Sequence, residues 1–434
     1  MTLDAKNNKL YIAVTEITKG MADDEGDIKL EENKCGAVYV ADLDADFDIK
    51  SVKPLVVGGP FDETNKDYPC SADAISGPDN VAVDSAGNVW ISEDTGLHAS
   101  NMLWVWDGQE LKRFATVSQE AEVTGLYIAA NDTVFMNVQH PGAMNMYPYN
   151  RGTIGTIAGF KASADFEPVS VPTGDENRQV RVAAGRYQVL GRVGEPIPQD
   201  PNGDHFGQVD AADGSHILTC NDPDGNMFLP SNESGTEGYL YSNFECVPGA
   251  VSKLYIRQYQ DGSWQVLEGE NVDFRSVNGT WTNCFASVTP WNTGLTSEEY
   301  PTDNAEDIEY WQTEAGQLMT DYVGKAANPY DYGWIVELIP QPVGTEVVKR
   351  YALGRFSHEN SIVMPDQKTV YHGDDGTDRV LYKFVADVEG DLSAGTLYAA
   401  KVTQDGDTLN LTWIELGQGN DADIEAALRS FDQS

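Results

Sequence analysis

The chain has 434 residues, of which 69 are acidic and 28 are basic, and its formal net charge is −41. A charge of this size repels nucleic acids and anionic membrane surfaces, so the sequence excludes both as partners. No run of about 18 apolar residues predicts insertion into a membrane. The hydrophobic fraction of 41% is ordinary for a globular protein. We therefore expect a folded protein with a solvated acidic surface, in which a minority of the carboxylates bind cations.

Short segments with the composition of β-strands follow one another along the chain. They are rich in Val, Ile, Tyr and Trp, and many alternate in polarity. The clearest cover residues 9–14, 36–41, 88–92, 101–106, 134–138, 238–242, 333–338, 369–372, 380–385 and 395–400. Units of strand, Asp-Gly turn and strand recur irregularly, at roughly 40–60 residues. This pattern predicts an all-β protein and favours a β-propeller over an array of sandwiches.

Pro78-Asp79-Asn80 places a carboxylate and an amide at the start of a predicted strand. Such short oxygen-bearing side chains can point into the tunnel of a propeller and bind Ca²⁺ there. The alternative is an Asx turn, in which the side chain accepts hydrogen bonds from its own backbone. Further along, residues 163–179 are polar and contain two prolines. That segment predicts an extended linker or an outer excursion.

The segment at residues 222–226 is similar to the start of a calcium-binding loop. Asp222, Asp224, Asn226 and Glu233 have the spacing of EF-hand ligands. However, Met227 occupies the position that requires Gly, and no convincing helix flanks the segment. We interpret it as a plain turn.

A carboxylate and a thiol follow in motif-like positions. Glu245 comes at the end of the predicted strand that precedes it, and Cys284 lies in the turn-rich segment 279–300 together with Glu298 and Glu299. Sulfur prefers a transition metal, whereas clustered carboxylates prefer Ca²⁺ or bridge two cations. The segment therefore predicts a site for more than one kind of metal.

The five cysteines are an odd number. Cys35 and Cys70 could pair, as could Cys220 and Cys246, which leaves Cys284 alone. All five could equally be reduced, because the sequence does not determine connectivity. A leftover cysteine in the most motif-like segment suits a metal thiolate.

The last third of the chain adds two predicted helices and three carboxylates. The helices are expected near residues 304–322 and 421–431, and Glu359, Asp374 and Asp375 lie beside predicted strands. If the strands ran radially around one axis, these carboxylates and the earlier ones would converge on a single polynuclear site.

Taken together, these motifs resemble the PhoX-type alkaline phosphatases. The matching segments are residues 78–80, 137–142, 243–245, 279–300, 332–337, 353–359, 373–385 and 395–398. The resemblance implies a six-bladed β-propeller with short helical insertions, formed by residues 1–434 as one domain. It also implies hydrolysis of small phosphate monoesters by a calcium and iron cluster.

The resemblance further implies a role for each candidate ligand. Cys284, Glu245 and Glu359 would bind iron. Some of the remaining candidates would bind calcium, and these are Asp79, Asn80, Glu298, Asp374 and Asp375. A periplasmic or extracellular location is also implied, although residues 1–4 do not resemble a signal peptide. The sequence carries no signal for an oligomeric state.

The chain departs from the family pattern in two ways. Its motifs stand in a circularly permuted order, with residues 163–179 as the expected joint, which a closed ring of blades tolerates. An Arg-Pro-Glu motif of the family has no counterpart, and its loss predicts reduced turnover. Two alternatives stay open: a catalytically silent, calcium-stabilised propeller that binds a ligand or protein partner, and a lactonase-like calcium propeller hydrolase.

Overall fold

The computed structural model describes residues 1–300 and 305–430. Most of these residues lie in antiparallel strands, which form six successive four-stranded units, here called blades 1 to 6. Blade 1 comprises β1 (Thr2–Asp4), β2 (Lys9–Val14), β3 (Ala37–Leu43) and β4 (Ile49–Val57). Blade 2 comprises β5 (Pro78–Val83), β6 (Val89–Glu93), β7 (Met102–Trp106) and β8 (Leu111–Thr116).

Blade 3 is interrupted by an excursion to its neighbour. It begins with β9 (Glu122–Ile128), β10 (Val134–Gln139) and β11 (Thr153–Ala158). The chain then crosses to blade 2, where β12 (Arg181–Val182) pairs with β8, and it returns as β13 (Arg186–Arg192) to pair with β11. The predicted linker 163–179 is this excursion, and it contains the 3₁₀ turn Gly174–Arg178. That it marks a permutation joint stays a prediction.

The second half of the ring follows a short hairpin of β14 (Gln208–Asp210) and β15 (His216–Thr219). Blade 4 comprises β16 (Pro223–Pro230), β17 (Glu237–Phe244), β18 (Ala250–Gln258) and β19 (Trp264–Asn271). Blade 5 comprises β20 (Asn283–Val288), β21 (Gly294–Glu298), β22 (Ile335–Pro340) and β23 (Thr345–Lys349). Blade 6 comprises β24 (His358–Val363), β25 (Thr369–Asp374), β26 (Tyr382–Val388) and β27 (Asp391–Asp405), which is extended by β28 (Thr408–Asn420).

The blades are arranged as a six-bladed β-propeller, as the sequence predicts. The first strand of each blade is innermost, and these strands contact one another in succession from β1 through β5, β9, β16 and β20 to β24. Each blade packs between two others, so its middle strands are buried on both faces. Accordingly β6 and β10 are buried along their whole length, and each begins with three apolar residues.

The hydrophobic core is divided among the interfaces between blades. Trp90 and Phe114 of blade 2 pack with Met136 of blade 3, and Leu295 of blade 5 packs with Val370 of blade 6. The ring closes where β28 pairs with β4 at Leu409↔Val52 and Asn410↔Ser51, which joins blades 1 and 6 in one nine-stranded sheet.

Helices occur as short insertions. Between β21 and β22 lie α1 (Ala305–Tyr310), the π-helical turn Trp311–Ala315 and α2 (Gly316–Val323), and α3 (Asp421–Leu428) follows β28. Both predicted helices are therefore found, although residues 304 and 431, at their predicted bounds, lie outside the described residues. Among the helices that the structure describes, none is long and apolar enough to cross a membrane.

Candidate metal centre

A central pocket of about 710 Å³ opens at the end of the ring where the innermost strands begin. In five blades the first or second residue of the innermost strand lines this pocket. These residues are Asp79 in β5, Glu122 in β9, Asp224 in β16, Cys284 in β20 and Glu359 in β24. The same position in successive blades therefore supplies four carboxylates and one thiol to a single cavity.

A second set of carboxylates comes from the neighbouring strand of each blade. Asp94, Glu245, Glu299 and Asp375 each follow directly after the last residue of the second strand, and all of them line the pocket together with Asp374. In an antiparallel blade the end of the second strand lies beside the start of the first. The fold thus brings two rows of acidic residues to one end of the propeller axis.

Cys284 lies where the two rows are densest. Its Sγ and carboxylate oxygens of Asp224 and Glu245 all lie within 4.8 Å of one another, and the same holds for Cys284, Glu299 and Glu359. The thiol donates to Oε2 of Glu359 at 3.7 Å. One sulfur is therefore shared by two groups of ligand atoms, each of the size that holds one metal ion.

Burial and mutual repulsion dominate the electrostatics of the carboxylates in this pocket. Burial, and then repulsion from neighbouring carboxylates, raises the pKa of Glu359 to about 8 and the pKa of Asp94 to about 7. The same causes raise the pKa values of Asp79, Asp224 and Glu299 well above their usual range. Burial, followed by repulsion from Glu359, also raises the pKa of the Cys284 thiol. Such a cluster either retains protons or binds cations.

Two asparagines fix the ligand-bearing strands of the next blade. The side-chain nitrogen of Asn243 donates to the carbonyl oxygens of Cys284 and Phe285, at 2.7 and 3.0 Å. Asn137 donates in the same way to the carbonyl oxygen of Asp224. Gly225 permits the close approach of β16 and β20, because a Cβ atom there would lie 2.6 Å from the carbonyl oxygen of Cys284. The backbone that carries the ligands is thus rigidly held.

The end of β10 holds two of the carboxylates. Gln139 is almost fully buried, and its side-chain nitrogen donates to Oε2 of Glu245 at 2.6 Å. The next residue, His140, pairs through Nε2 with Glu122. The hydrogen bond with Glu122 raises the pKa of His140 to about 9. Both side chains orient their carboxylates within the pocket.

Six of the predicted ligands line the pocket, and these are Asp79, Glu245, Cys284, Glu359, Asp374 and Asp375. Asn80 and Glu298 do not line it. The side chain of Asn80 donates a hydrogen bond to Oδ2 of Asp79 at 2.7 Å, so it helps to orient a carboxylate that does line the pocket.

Glu298 is turned into the interior of blade 5. It accepts hydrogen bonds from the backbone nitrogens of Trp281 and Trp334, at 3.1 and 2.9 Å, and from Lys349 Nζ at 3.1 Å. Consecutive residues of an extended chain point to opposite sides, so its neighbour Glu299 faces the pocket instead. The sequence analysis names Glu298 as the candidate ligand of this segment, whereas the structure directs the adjacent Glu299 into the pocket.

The sequence analysis does not predict Asp94, Glu122 and Asp224 as metal ligands, although all three line the pocket. The interpretation of residues 222–226 as a turn is wrong, since β16 begins at Pro223. The sequence does contain a pattern that indicates them, because in blades 2 to 6 an acidic residue or a cysteine is the first or second residue of each innermost strand. That regularity becomes visible only once the blades are aligned.

The remaining cysteines form two disulfides, Cys35–Cys70 and Cys220–Cys246. Of the pairings that the sequence left open, this one leaves Cys284 as the free, buried cysteine of the described residues. The donor set of hard carboxylate oxygens around a single sulfur fits a centre that holds both Ca²⁺ and a transition metal.

Comparisons with known proteins agree with the resemblance in the sequence. The family model for alkaline phosphatase PhoX matches residues 2–142 and 261–433. A comparison with curated proteins finds no match. Among solved structures, the chain is similar to Pseudomonas fluorescens PhoX in complex with vanadate, with 24% identity and a TM-score of 0.39 over 56% of this chain and 59% of that one.

Two lactonase-like structures are also similar. A putative 6-phosphogluconolactonase from Bacteroides fragilis has 10% identity and a TM-score of 0.39, over 95% of this chain and 86% of that one. A putative gluconolactonase has 9% identity and a TM-score of 0.37, over 88% and 86% of the two chains.

Proposed function

Since the chain belongs to the PhoX alkaline phosphatase family, we propose that it hydrolyses small phosphate monoesters with cations held in the central pocket. The observation that carries this proposal is the cluster around Cys284, where two groups of three ligand atoms share one sulfur. Burial and mutual repulsion raise the pKa values of the carboxylates in this cluster, so these groups suit metal ions.

The ligand set divides by chemistry. Cys284, Glu245 and Glu359, with Asp224 and Glu299 beside them, would hold iron, because a thiolate selects a transition metal. Asp79, Asp94, Glu122, Asp374 and Asp375, which offer only oxygen atoms, would hold calcium. When bound, these cations would stabilise the charge on the phosphoryl oxygens in the transition state and lower the pKa of the attacking water.

The residues of the chain position the substrate and the ligands. The two rows of carboxylates would hold the cations, and Asn243 and Asn137 hold two of the innermost strands in register. Lys19 and Arg379 also line the pocket. They would attract a dianionic phosphate ester to a cavity whose carboxylates would otherwise repel it.

Hydrolysis of p-nitrophenyl phosphate at alkaline pH tests the proposal. The assay compares the unmodified chain, Cys284→Ala and Ser287→Ala, each supplied with Ca²⁺ and iron. Ser287 is a matched control because it is buried on the same strand, β20, but does not line the pocket. We expect turnover by the chain and by Ser287→Ala, and a loss of at least about 10²-fold for Cys284→Ala, on the order of the loss of one transition-state contact.

The same assay separates the alternatives. Turnover that is unaffected by Cys284→Ala would refute the assigned site. Absence of turnover in all three proteins would favour a silent, calcium-stabilised propeller. Hydrolysis of a lactone but not of the phosphate ester would favour a lactonase. The predicted reduction in turnover from the missing Arg-Pro-Glu motif stays a prediction, and the absolute rate measures it.

We also propose a periplasmic or extracellular location. The disulfides Cys35–Cys70 and Cys220–Cys246 support it, since structural disulfides persist in oxidising compartments. The net charge of −41 continues to argue against nucleic acids as partners.

A further inference from the structure

The central pocket has two walls of different chemistry. Blades 2 to 6 contribute the acidic residues described above. Blade 1 with its β2–β3 loop, and the residue before β26, contribute a wall of apolar side chains to the same cavity. This wall lies beside the polar residues Thr15, Glu16, Thr18 and Lys19. The members of this apolar wall are Ile12, Val14, Met21, Ile28 and Leu381.

The apolar wall is part of the folded core. All five side chains are partly buried, and they pack against the hydrophobic cluster between blades 1 and 6, which includes Leu10 and Tyr371. All five residues also line the pocket. Apolar surface of this kind gains free energy when a ligand displaces the water next to it.

The loop that carries Met21 and Ile28 is fixed in position. The backbone nitrogen of Leu30 donates to the carbonyl oxygen of Met21 at 2.8 Å. The side chain of Gln404 accepts from the backbone nitrogen of Lys29 at 2.6 Å and donates to its carbonyl oxygen at 2.9 Å. The wall is therefore preformed, so a ligand does not need to order it.

We infer that the apolar wall binds the alcohol portion of the substrate, so that the protein prefers phosphate monoesters of apolar alcohols over those of polyhydroxylated ones. This inference rests on the proposed function. Like the pocket, a phosphate monoester has two parts of different chemistry, which are a dianionic phosphoryl group at one end and an organic group at the other. A cavity of about 710 Å³ has room for both.

A ladder of substrates with similar leaving groups tests the inference. The substrates are glycerol 1-phosphate, propyl phosphate and hexyl phosphate, with Ca²⁺ and iron supplied. We expect kcat/KM to rise from the glycerol to the propyl ester, because hydroxyl groups against the wall lose their hydrogen bonds with water. From propyl to hexyl we expect a rise of about fourfold for each CH₂ group that is buried, which corresponds to about 0.8 kcal/mol.

Binding of propylphosphonate and hexylphosphonate, measured by calorimetry, provides a readout that does not depend on turnover. Variants locate the effect: Met21→Gln and Ile28→Asn should reduce the preference for the hexyl compounds. Val343→Asp is the control, because Val343 is 90% exposed in a turn and does not line the pocket.

The outcomes distinguish the inference from the proposed function. Equal kcat/KM values along the ladder would overturn the inference while leaving the phosphatase intact. No hydrolysis of any ester, together with tighter binding of hexylphosphonate than of propylphosphonate, would sustain the apolar subsite but refute the phosphatase. Equal binding of the two phosphonates, or no binding of either, would overturn the inference.

Discussion

Two sets of carboxylates lie one residue apart in the chain and differ in burial and in how they are compensated. Glu93 and Glu298 are the last residues of β6 and β21, and both are fully buried. Asp94 and Glu299 follow them directly and line the pocket. The first pair belongs to the interior of the blades, and the second pair belongs to the candidate metal centre.

The interior carboxylates are satisfied by the protein itself. Glu93 accepts hydrogen bonds from the backbone nitrogens of Ser76 and Met102, both at 2.9 Å, and from the indole of Trp104 at 2.7 Å. Glu298 makes the corresponding backbone contacts in blade 5 and adds Lys349. Each clamps the start of the first strand to the start of the third. In the pocket, burial and mutual repulsion raise the pKa values of the carboxylates instead, so bound cations would compensate them.

The largest expected effect comes from removing the cation that pairs with one of the interior carboxylates. In Lys349→Met, Glu298 keeps its burial but loses its cation, so we expect a loss of about 3–5 kcal/mol in the free energy of unfolding. Lys9→Met is the control, because Lys9 pairs with Asp42 at 2.8 Å on the exposed surface and should contribute about 1 kcal/mol or less. Urea denaturation measures both values. Equal losses in the two variants would contradict the distinction drawn here.

The pocket set should respond to cations and to pH. Without metal, burial and repulsion from Asp375 and Glu245 raise the pKa of Glu359 in the folded state to about 8, from its ordinary value of 4.5. The folded state therefore binds this proton more tightly, and stability falls as the pH rises from about 4.5 to about 8. We expect the melting temperature of chelator-treated protein to be lower at pH 9 than at pH 6. Added Ca²⁺, bound by the neighbouring oxygen-only ligands, should raise the free energy of unfolding by about 2.7 kcal/mol at a hundredfold excess over Kd.

Neutralising single glutamates sharpens this contrast. Glu359→Gln should raise the melting temperature of the metal-free protein at pH 9, because it removes one of several repelling charges. Glu298→Gln should lower it, because it leaves Lys349 buried without its partner. A melting temperature that is independent of pH and of chelation would show that the pocket carboxylates are not a cation site.

The smallest expected effect concerns the orientation of one pocket carboxylate. Gln139→Leu removes the donor to Glu245, so we expect metal binding to weaken by about 10- to 100-fold. Calorimetric titration with Ca²⁺ and with iron measures the affinity. Gln265→Leu is the control, since Gln265 is exposed on the outermost strand of blade 4. An unchanged affinity in Gln139→Leu would show that Gln139 does not position Glu245.

Much of the site could be predicted because its residues stand in recognisable local patterns. Cys284, Glu245 and Glu359 can be identified from the sequence, because each lies near the end of a predicted strand or in a short motif of a few consecutive residues. Asp224 was missed because a local comparison with a calcium-binding loop gave a turn, whereas pairing with β17 makes the segment a strand. Glu298 was preferred as a ligand over Glu299 because spacing alone does not determine which side of a strand end faces the axis.

The all-β class, the run of short strands and the single cysteine beside paired carboxylates can be predicted from the amino-acid sequence. These features depend on residue type and near neighbours, which a linear chain specifies directly. That Asp79 of blade 2 and Glu359 of blade 6 share one cavity, and that Glu299 rather than Glu298 faces it, follows from the folded structure alone. Both results depend on ring closure and on the alternation of side chains in strands, whose register is fixed by packing between blades.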